Sequence, residues 1–257
     1  MKLNKDELLE QAIRFTKQAG DHTLNYFRKG IEVKYKGDDT PVTQADREAE
    51  KILRSLIMDA YPDHGIVGEE YGVHKPEARV QWILDPVDGT MSFIHGIPLY
   101  TTLVGILVDG IPEIGLIYAP AMGEMVDAAR GLGTRLNGSS VTVRKCDSLD
   151  KATILTTDIR NVDTYGFGTV HESLLKACYA HRTWGDAYGH LMVATGRADI
   201  MLDPVLNIWD AAPLSTVLRE AGGIFMTRDG IEDIHAGHGI SVGLGLKNEI
   251  LNLLKLK

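Results

Sequence analysis

The chain has 257 residues, 44% of them apolar and 24% charged, with 27 Lys plus Arg against 35 Asp plus Glu for a formal net charge of −8. That length allows one or two domains with a core needing no staple, and the composition excludes a disordered or fibrous chain. The acidic balance argues against broad contact with nucleic acid or an anionic membrane, and it suits multivalent cations.

Leu8, Leu9, Ala12, Ile13, Phe15, Ala19, Leu24 and Phe27 fall on one helical face, which predicts a helix over 6–28 with Gly30 as its stop. The polar turn Lys36-Gly-Asp-Asp-Thr-Pro41 leads into a second helix over 43–60, with Thr43 as N-cap and Pro62 past its end. Val80–Leu84 reads as a strand, and Leu99–Val108 with Ile111–Tyr118 as a hairpin about Asp109-Gly110. Gly131–Gly138 reads as a turn-rich link. Beyond it come a strand at Thr153–Thr157, helices near 167–180 and 186–195, and a strand at Asp199–Leu202. A helix over Trp209–Ala221 with Pro213 in its first turn, a strand at Ile224–Thr227 and a last helix from about 247 complete the order. Interleaved helices and strands predict a layered α/β or α+β architecture, and a change of texture near 146–151 divides it into halves 1–146 and 147–257.

Cys146 and Cys178 stand far apart and outline neither a disulfide framework nor a zinc site. The opening MKLNKDELLE is charged where a secretory signal is apolar, and the longest uncharged stretch, 89–108, is broken by Gly96, Pro98 and Gly105. A cytoplasmic protein without a membrane span is therefore expected.

Three acidic segments could carry chemistry. Asp85-Pro-Val-Asp-Gly-Thr90 follows a predicted strand, and a turn there would let Asp85 and Asp88 converge on one side, with the Gly89 and Thr90 N–H groups facing an anion. The alternative is an ordinary Asp/Pro/Gly turn. Gly68-Glu-Glu70 ends another apolar run, and adjacent strand residues point to opposite faces, so at most one glutamate could be a direct ligand. In Trp209-Asp-Ala-Ala212, Asp210 stands at a helix start, where capping is the plainer role, and the two alanines permit a close approach. Together Glu69, Asp85, Asp88 and Asp210 offer the hard oxygen donors that Mg²⁺ takes. His235 and His238 read as solvated loop residues, and His95 as either a substrate contact or a structural donor.

In order and spacing, GEE at 68–70, DPVDGT at 85–90 and WDAAPLSTVLREAGG at 209–223 resemble the three signatures of the inositol monophosphatase superfamily over nearly the whole chain. The resemblance implies an αβαβα sandwich of the inositol monophosphatase and fructose-1,6-bisphosphatase type, commonly homodimeric, that hydrolyses a small phosphorylated substrate with two or three Mg²⁺ per site. Carried over residue by residue, it makes Glu69, Asp85, the Val87 carbonyl, Asp88 and Asp210 metal ligands. It makes Thr90 and Asp46, with Glu69, the group that readies the attacking water, and Gly89 and Thr90 the phosphate contacts. Phe93–Leu99 and Arg182–Gly189, together with Asp203, are similar to the histidinol-phosphate phosphatase branch, which places Gly185, Asp186 and Asp203 at the substrate. Two extra carboxylates suit a cationic leaving group such as histidinol. The alternatives are an inositol monophosphatase or broad sugar phosphatase, and a non-catalytic regulator that binds metal or phosphate.

Overall fold

The computed structural model describes residues 4–30, 32–35 and 41–255; the polar turn expected at 36–40 lies outside the described residues. Helix α1 (Lys5–Thr23) starts at Asn4, whose side chain accepts the Glu7 N–H, and ends a turn earlier than the sequence suggests. Leu24 to Lys29 continue it as successive turns that carry Tyr26 and Phe27 onto Phe93 and Tyr100, so the apolar spacing persists although the helix does not. The short strands β1 (Val33–Tyr35) and β2 (Pro41–Thr43) pair and deliver the chain to α2 (Gln44–Ala60), capped by Thr43 as expected.

Eight strands form the larger sheet: β3 (Gly65–Gly68), β4 (Gly72–His74), β5 (Val80–Asp88), β6 (Thr101–Val108), β7 (Ile111–Ala119), β8 (Glu124–Ala129), β9 (Gly133–Leu136) and β10 (Ser139–Val141), in the order β10-β9-β8-β7-β6-β5-β3-β4. The helix α3 (Thr90–Ile94) interrupts it after β5. β3 and β5 are parallel and the other neighbours antiparallel. The β6–β7 hairpin turns at Asp109-Gly110, both with positive φ (52° and 78°), the backbone a two-residue hairpin of this twist requires. The link expected over 131–138 contains β9: its turns flank a four-residue strand too short to show a period.

Five strands form the second sheet, β11 (Thr153–Thr156), β12 (Ala180–Arg182), β13 (Ile200–Asp203), β14 (Gly223–Met226) and β15 (Gly239–Gly243), in the order β12-β11-β13-β15-β14. The helices are α4 (Ile159–Thr164), α5 (Gly168–Ala177), α6 (Asp186–Ala194), α7 (Ile208–Glu220) and α8 (Lys247–Leu254). The helix expected over 167–180 is thus shorter, because its last three residues turn into the edge strand β12.

Strand alternation builds the layers. Trp82 and Leu84 of β5, Val104 and Ile106 of β6, and Leu116 of β7 face α1 and α2. Ile83, Leu103 and Ile117 point the other way, into a core shared with α6, α7 and the inner face of the second sheet at Leu155, Met201 and Phe225. Ile154, Ile200 and Leu202 face outward to Val162 of α4, Leu174 of α5 and Ile250 of α8. Strands buried on both faces are continuously apolar, as these are. The result is an αβαβα sandwich. Pro213 lies inside α7 and not in its first turn, and it rests against the larger sheet. Gly105 and Gly115 are directly paired, and a Cβ at Gly115 would lie 2.2 Å from the Pro213 carbonyl oxygen. The missing side chains let α7 rest on the sheet backbone. Among the described residues, no helix is long and apolar enough to cross a membrane.

Candidate active site

The site lies where β3, β5, β11 and β13 end and α6 and α7 begin, the carboxyl edge that layered α/β sheets offer to ligands. β5 runs through Asp85-Pro-Val-Asp88 and does not stop at Leu84, which corrects the expected turn. Between the pairs Asp85↔Leu103 and Asp88↔Thr101 the ladder is irregular, β5 advancing one residue more than β6. In a regular strand, residues three apart point to opposite faces; one inserted residue returns them to the same side. The bulge is what brings Asp85 and Asp88 together, and Pro86, which has no N–H to give a ladder, fits there. Its carbonyl accepts the Thr102 hydroxyl at 2.8 Å, and the Val87 N–H donates to Asp85 Oδ1 at 3.0 Å.

Asp210 enters from α7 as the third residue of the helix, its Oδ2 accepting the Asn207 N–H at 2.7 Å. It therefore caps the helix, as expected, and also brings a carboxylate oxygen within 4.8 Å of oxygens on Asp85 and Asp88. Asp46 holds the same position in α2: its Oδ2 accepts the Thr43 N–H at 2.9 Å, and its Oδ1 lies 3.5 Å from the Thr90 hydroxyl. That hydroxyl donates to the Val87 carbonyl at 3.0 Å, so Asp46, Val87 and Thr90 meet at the start of α3. Gly89, with φ 77°, makes the corner.

Glu69 and Glu70 stand just past β3, in a turn whose N–H groups at Glu70 and Tyr71 donate to the buried Glu50 carboxylate at 2.7 and 3.1 Å. Gly68 is needed because a Cβ there would lie 2.1 Å from Glu50 Oε1. The two glutamates serve different neighbours. Glu69 lies outside the 4.8 Å group, yet its charge is the largest electrostatic cause raising Asp85, whereas the charge of Glu70 acts on Asp46.

Burial, then the charges of Glu69, Asp210 and Asp88, hold the Asp85 carboxyl well above the usual range. Burial and then Asp88 do the same to Asp210. Asp88 is pushed up to about 7 by burial, against the opposing hydrogen bonds from the Ala187 N–H and the Thr101 hydroxyl at 2.8 and 3.0 Å. Burial raises Asp46 to about 6. Converging hard oxygen donors that resist ionisation are the donor set a divalent cation takes, and its charge would reverse each shift. The residues fit Mg²⁺.

Asp186 and Asp203 flank this cluster. Asp186 opens α6 with φ 53°, and a Cβ at Gly89 would lie 2.9 Å from its Oδ2. Burial first, then Asp88, Asp203 and Asp210, push its carboxyl well up. Asp203 ends β13, buried, and accepts the Thr157 hydroxyl at 3.0 Å. Gly185 packs on Thr157, whose Cα would lie 2.4 Å from a Cβ there. Thr101, Thr157 and the Ala187 N–H were not visible as site components, since only the strand register and the return of α6 bring them in. His95 is exposed, and its Nδ1 lies 2.8 Å from the Met91 carbonyl. His238 departs from the solvated reading: its Nε2 accepts the Arg228 N–H at 3.1 Å and its ring packs edge-on against Phe167.

A layered fold with an acid cluster at its carboxyl edge is that of a metal-dependent phosphomonoesterase of the inositol monophosphatase superfamily. The chain belongs to the inositol monophosphatase family, whose sequence pattern matches residues 4–254. It is 39% identical over 234 residues to a histidinol-phosphatase of Chlorobaculum parvum, covering 90% of each chain. It is 33% identical over 234 residues to a histidinol-phosphatase of Mycobacterium tuberculosis, covering 87% of this chain and 88% of that one. The solved extragenic suppressor protein suhB of Bartonella henselae superimposes with a TM-score of 0.91 at 27% identity, over 97% of this chain and 99% of that one.

Proposed function

We propose that the chain hydrolyses L-histidinol phosphate to L-histidinol and phosphate. The carrying observation is the surplus of carboxylate beyond the triad Asp85, Asp88 and Asp210: Asp186 Oδ2 lies against Gly89, the charge of Asp203 acts on Asp88, and the charges of Asp88 and Asp203 act on Asp186. A leaving group with an ammonium and an imidazole meets complementary charge there, which an inositol ring does not provide. The names borne by the two relatives support the same reading.

In this reading Asp85, Asp88 and Asp210 hold Mg²⁺, with Glu69 and the Val87 carbonyl completing the donor set for two or three ions. Bound Mg²⁺ supplies Lewis-acid polarisation of the phosphate and a more acidic water. The Thr90 hydroxyl accepts from the attacking water and, by turning its own hydrogen from the Val87 carbonyl to Asp46 Oδ1, fixes the direction of attack on phosphorus. Asp46, with a carboxyl near 6, is the basic end of that relay. The N–H groups of Gly89 and Thr90 bind phosphate oxygens, while Gly185 leaves room and Asp186 and Asp203 grip the alcohol.

The test is phosphate release from histidinol phosphate, inositol monophosphate and glycerol phosphate, with Asp186→Asn and Asp203→Asn beside the parent. Loss of one charge-assisted hydrogen bond lowers kcat/KM for histidinol phosphate roughly ten- to a hundredfold and spares glycerol phosphate. Equal losses on both substrates, or a parent enzyme that prefers inositol monophosphate, would overturn the assignment.

A further inference from the structure

We infer that Thr157 is a positioning residue that sets where Asp186 and Asp203 stand over the acid cluster, and thereby which leaving group the site selects. The inference rests on the proposed function for the substrate, and on hydrogen bonds alone for the positioning.

Thr157 follows the last residue of β11. Its hydroxyl accepts the Asp186 N–H at 2.8 Å and donates to Asp203 Oδ2 at 3.0 Å. An amide can only donate, so the single hydroxyl hydrogen belongs to Asp203, and one side chain ties both carboxylate-bearing residues. The next N–H, of Ala187, donates to Asp88 Oδ2 at 2.8 Å. Asp186 is thus fixed on both sides, one amide to Thr157 and the following one to the cluster. That fixation accounts for its left-handed backbone (φ 53°), which a non-glycine residue adopts only when its surroundings impose it. Gly185 lets the chain pass this closely, since a Cβ there would lie 2.7 Å from the Thr157 hydroxyl oxygen.

The buried His190 also stands near Asp203, its Nε2 3.9 Å from Oδ2 while Nδ1 meets the Ser241 hydroxyl at 2.6 Å. That separation is too long for a hydrogen bond. Thr157, and not His190, therefore holds Asp203 in the resting site.

Thr157→Val keeps the branched shape and removes the hydroxyl; Thr157→Ser keeps the hydroxyl. The Val variant is expected to lower the ratio of kcat/KM for histidinol phosphate over glycerol phosphate about tenfold or more, chiefly through KM, while the Ser variant stays within about threefold of the parent. A Val ratio within about threefold of the parent, or a Ser variant that falls as far as the Val one, overturns the inference, because a merely structural threonine would move both substrates together. Thr157→Ala carries the same test if the Val variant does not fold. A crystal structure of the variant reads the positioning without reference to substrate. Loss of the left-handed Asp186 backbone or of the Ala187–Asp88 bond is expected, and unchanged Asp186 and Asp203 would sink the claim even if histidinol phosphate proves to be the wrong substrate.

Discussion

Asp88→Asn separates the two demands on the acid cluster. The Oδ2 of Asp88 accepts the Thr101 hydroxyl and the Ala187 N–H, and an asparagine oxygen can accept both. What changes is the charge. Burial, then the charges of Asp203 and Glu69, raise this carboxyl from 3.8 to about 7, so the fold holds its proton more firmly than the unfolded chain does. Stability from this group is therefore full below the unfolded value and is lost as pH rises through about 7. Above that pH the ionisation costs on the order of 4 kcal/mol, a cost shared with Asp85, Asp186 and Asp210, whose carboxyls the Asp88 charge also raises, and near pH 5 less than half of that. In chelator-treated protein at pH 8, the Asn variant should be more stable by up to about 4 kcal/mol, a rise in Tm on the order of 5–15 °C for a chain of this length. The gap should shrink toward pH 5, and with saturating Mg²⁺ the order should reverse, because only the parent gains from binding. Thermal melts across pH, with EDTA or Mg²⁺, read all three effects. An Asn variant no more stable than the parent at pH 8, or equally stabilised at both pH values, would refute the reasoning.

Other perturbations follow from the same geometry. Thr90→Ala should reduce turnover with little change in Mg²⁺ affinity by calorimetry, and Asp46→Asn should do likewise; abolished Mg²⁺ binding would make Thr90 a ligand or a structural residue. Glu50→Gln weakens the clamp on the Glu70 and Tyr71 amides, and loosening the turn that carries Glu69 should cost about 10-fold or more in Mg²⁺ affinity. Gly115→Ala would drive a Cβ to 2.2 Å from the Pro213 carbonyl, and denaturant titration should show a loss of about 1–3 kcal/mol or more.

The acidic residues of the site were legible chiefly through the order and spacing of three segments that resemble the family's signatures, since alone Asp85 and Asp88 could form an ordinary turn and Asp210 a cap. What brings them together was not. The bulge in β5 depends on its register against β6, and Thr101 enters only as the cross-strand partner of Asp88. A layered α/β or α+β architecture was readable from the interleaved elements, and the αβαβα order of the layers only from the resemblance to the family. The short strands β9, β12 and β15 were not, since three to five residues carry too little period. Pro213 shows the same limit: its seat against the sheet depends on Gly105 and Gly115, about a hundred residues away in sequence. Thr157 had no local signal at all, because its two partners reach it from α6 and β13.

The most direct test of the central claim is phosphate release from histidinol phosphate by chelator-stripped protein titrated with Mg²⁺, run beside Asp210→Asn. Stripped protein should be silent, and Mg²⁺ should restore the parent. The variant should remain slower by several orders of magnitude even at saturating Mg²⁺, since a lost Lewis-acid contact is worth several kcal/mol and each ~1.4 kcal/mol is tenfold in rate. Turnover that survives stripping, or a variant that matches the parent, would contradict a metal-dependent phosphatase built on Asp85, Asp88 and Asp210.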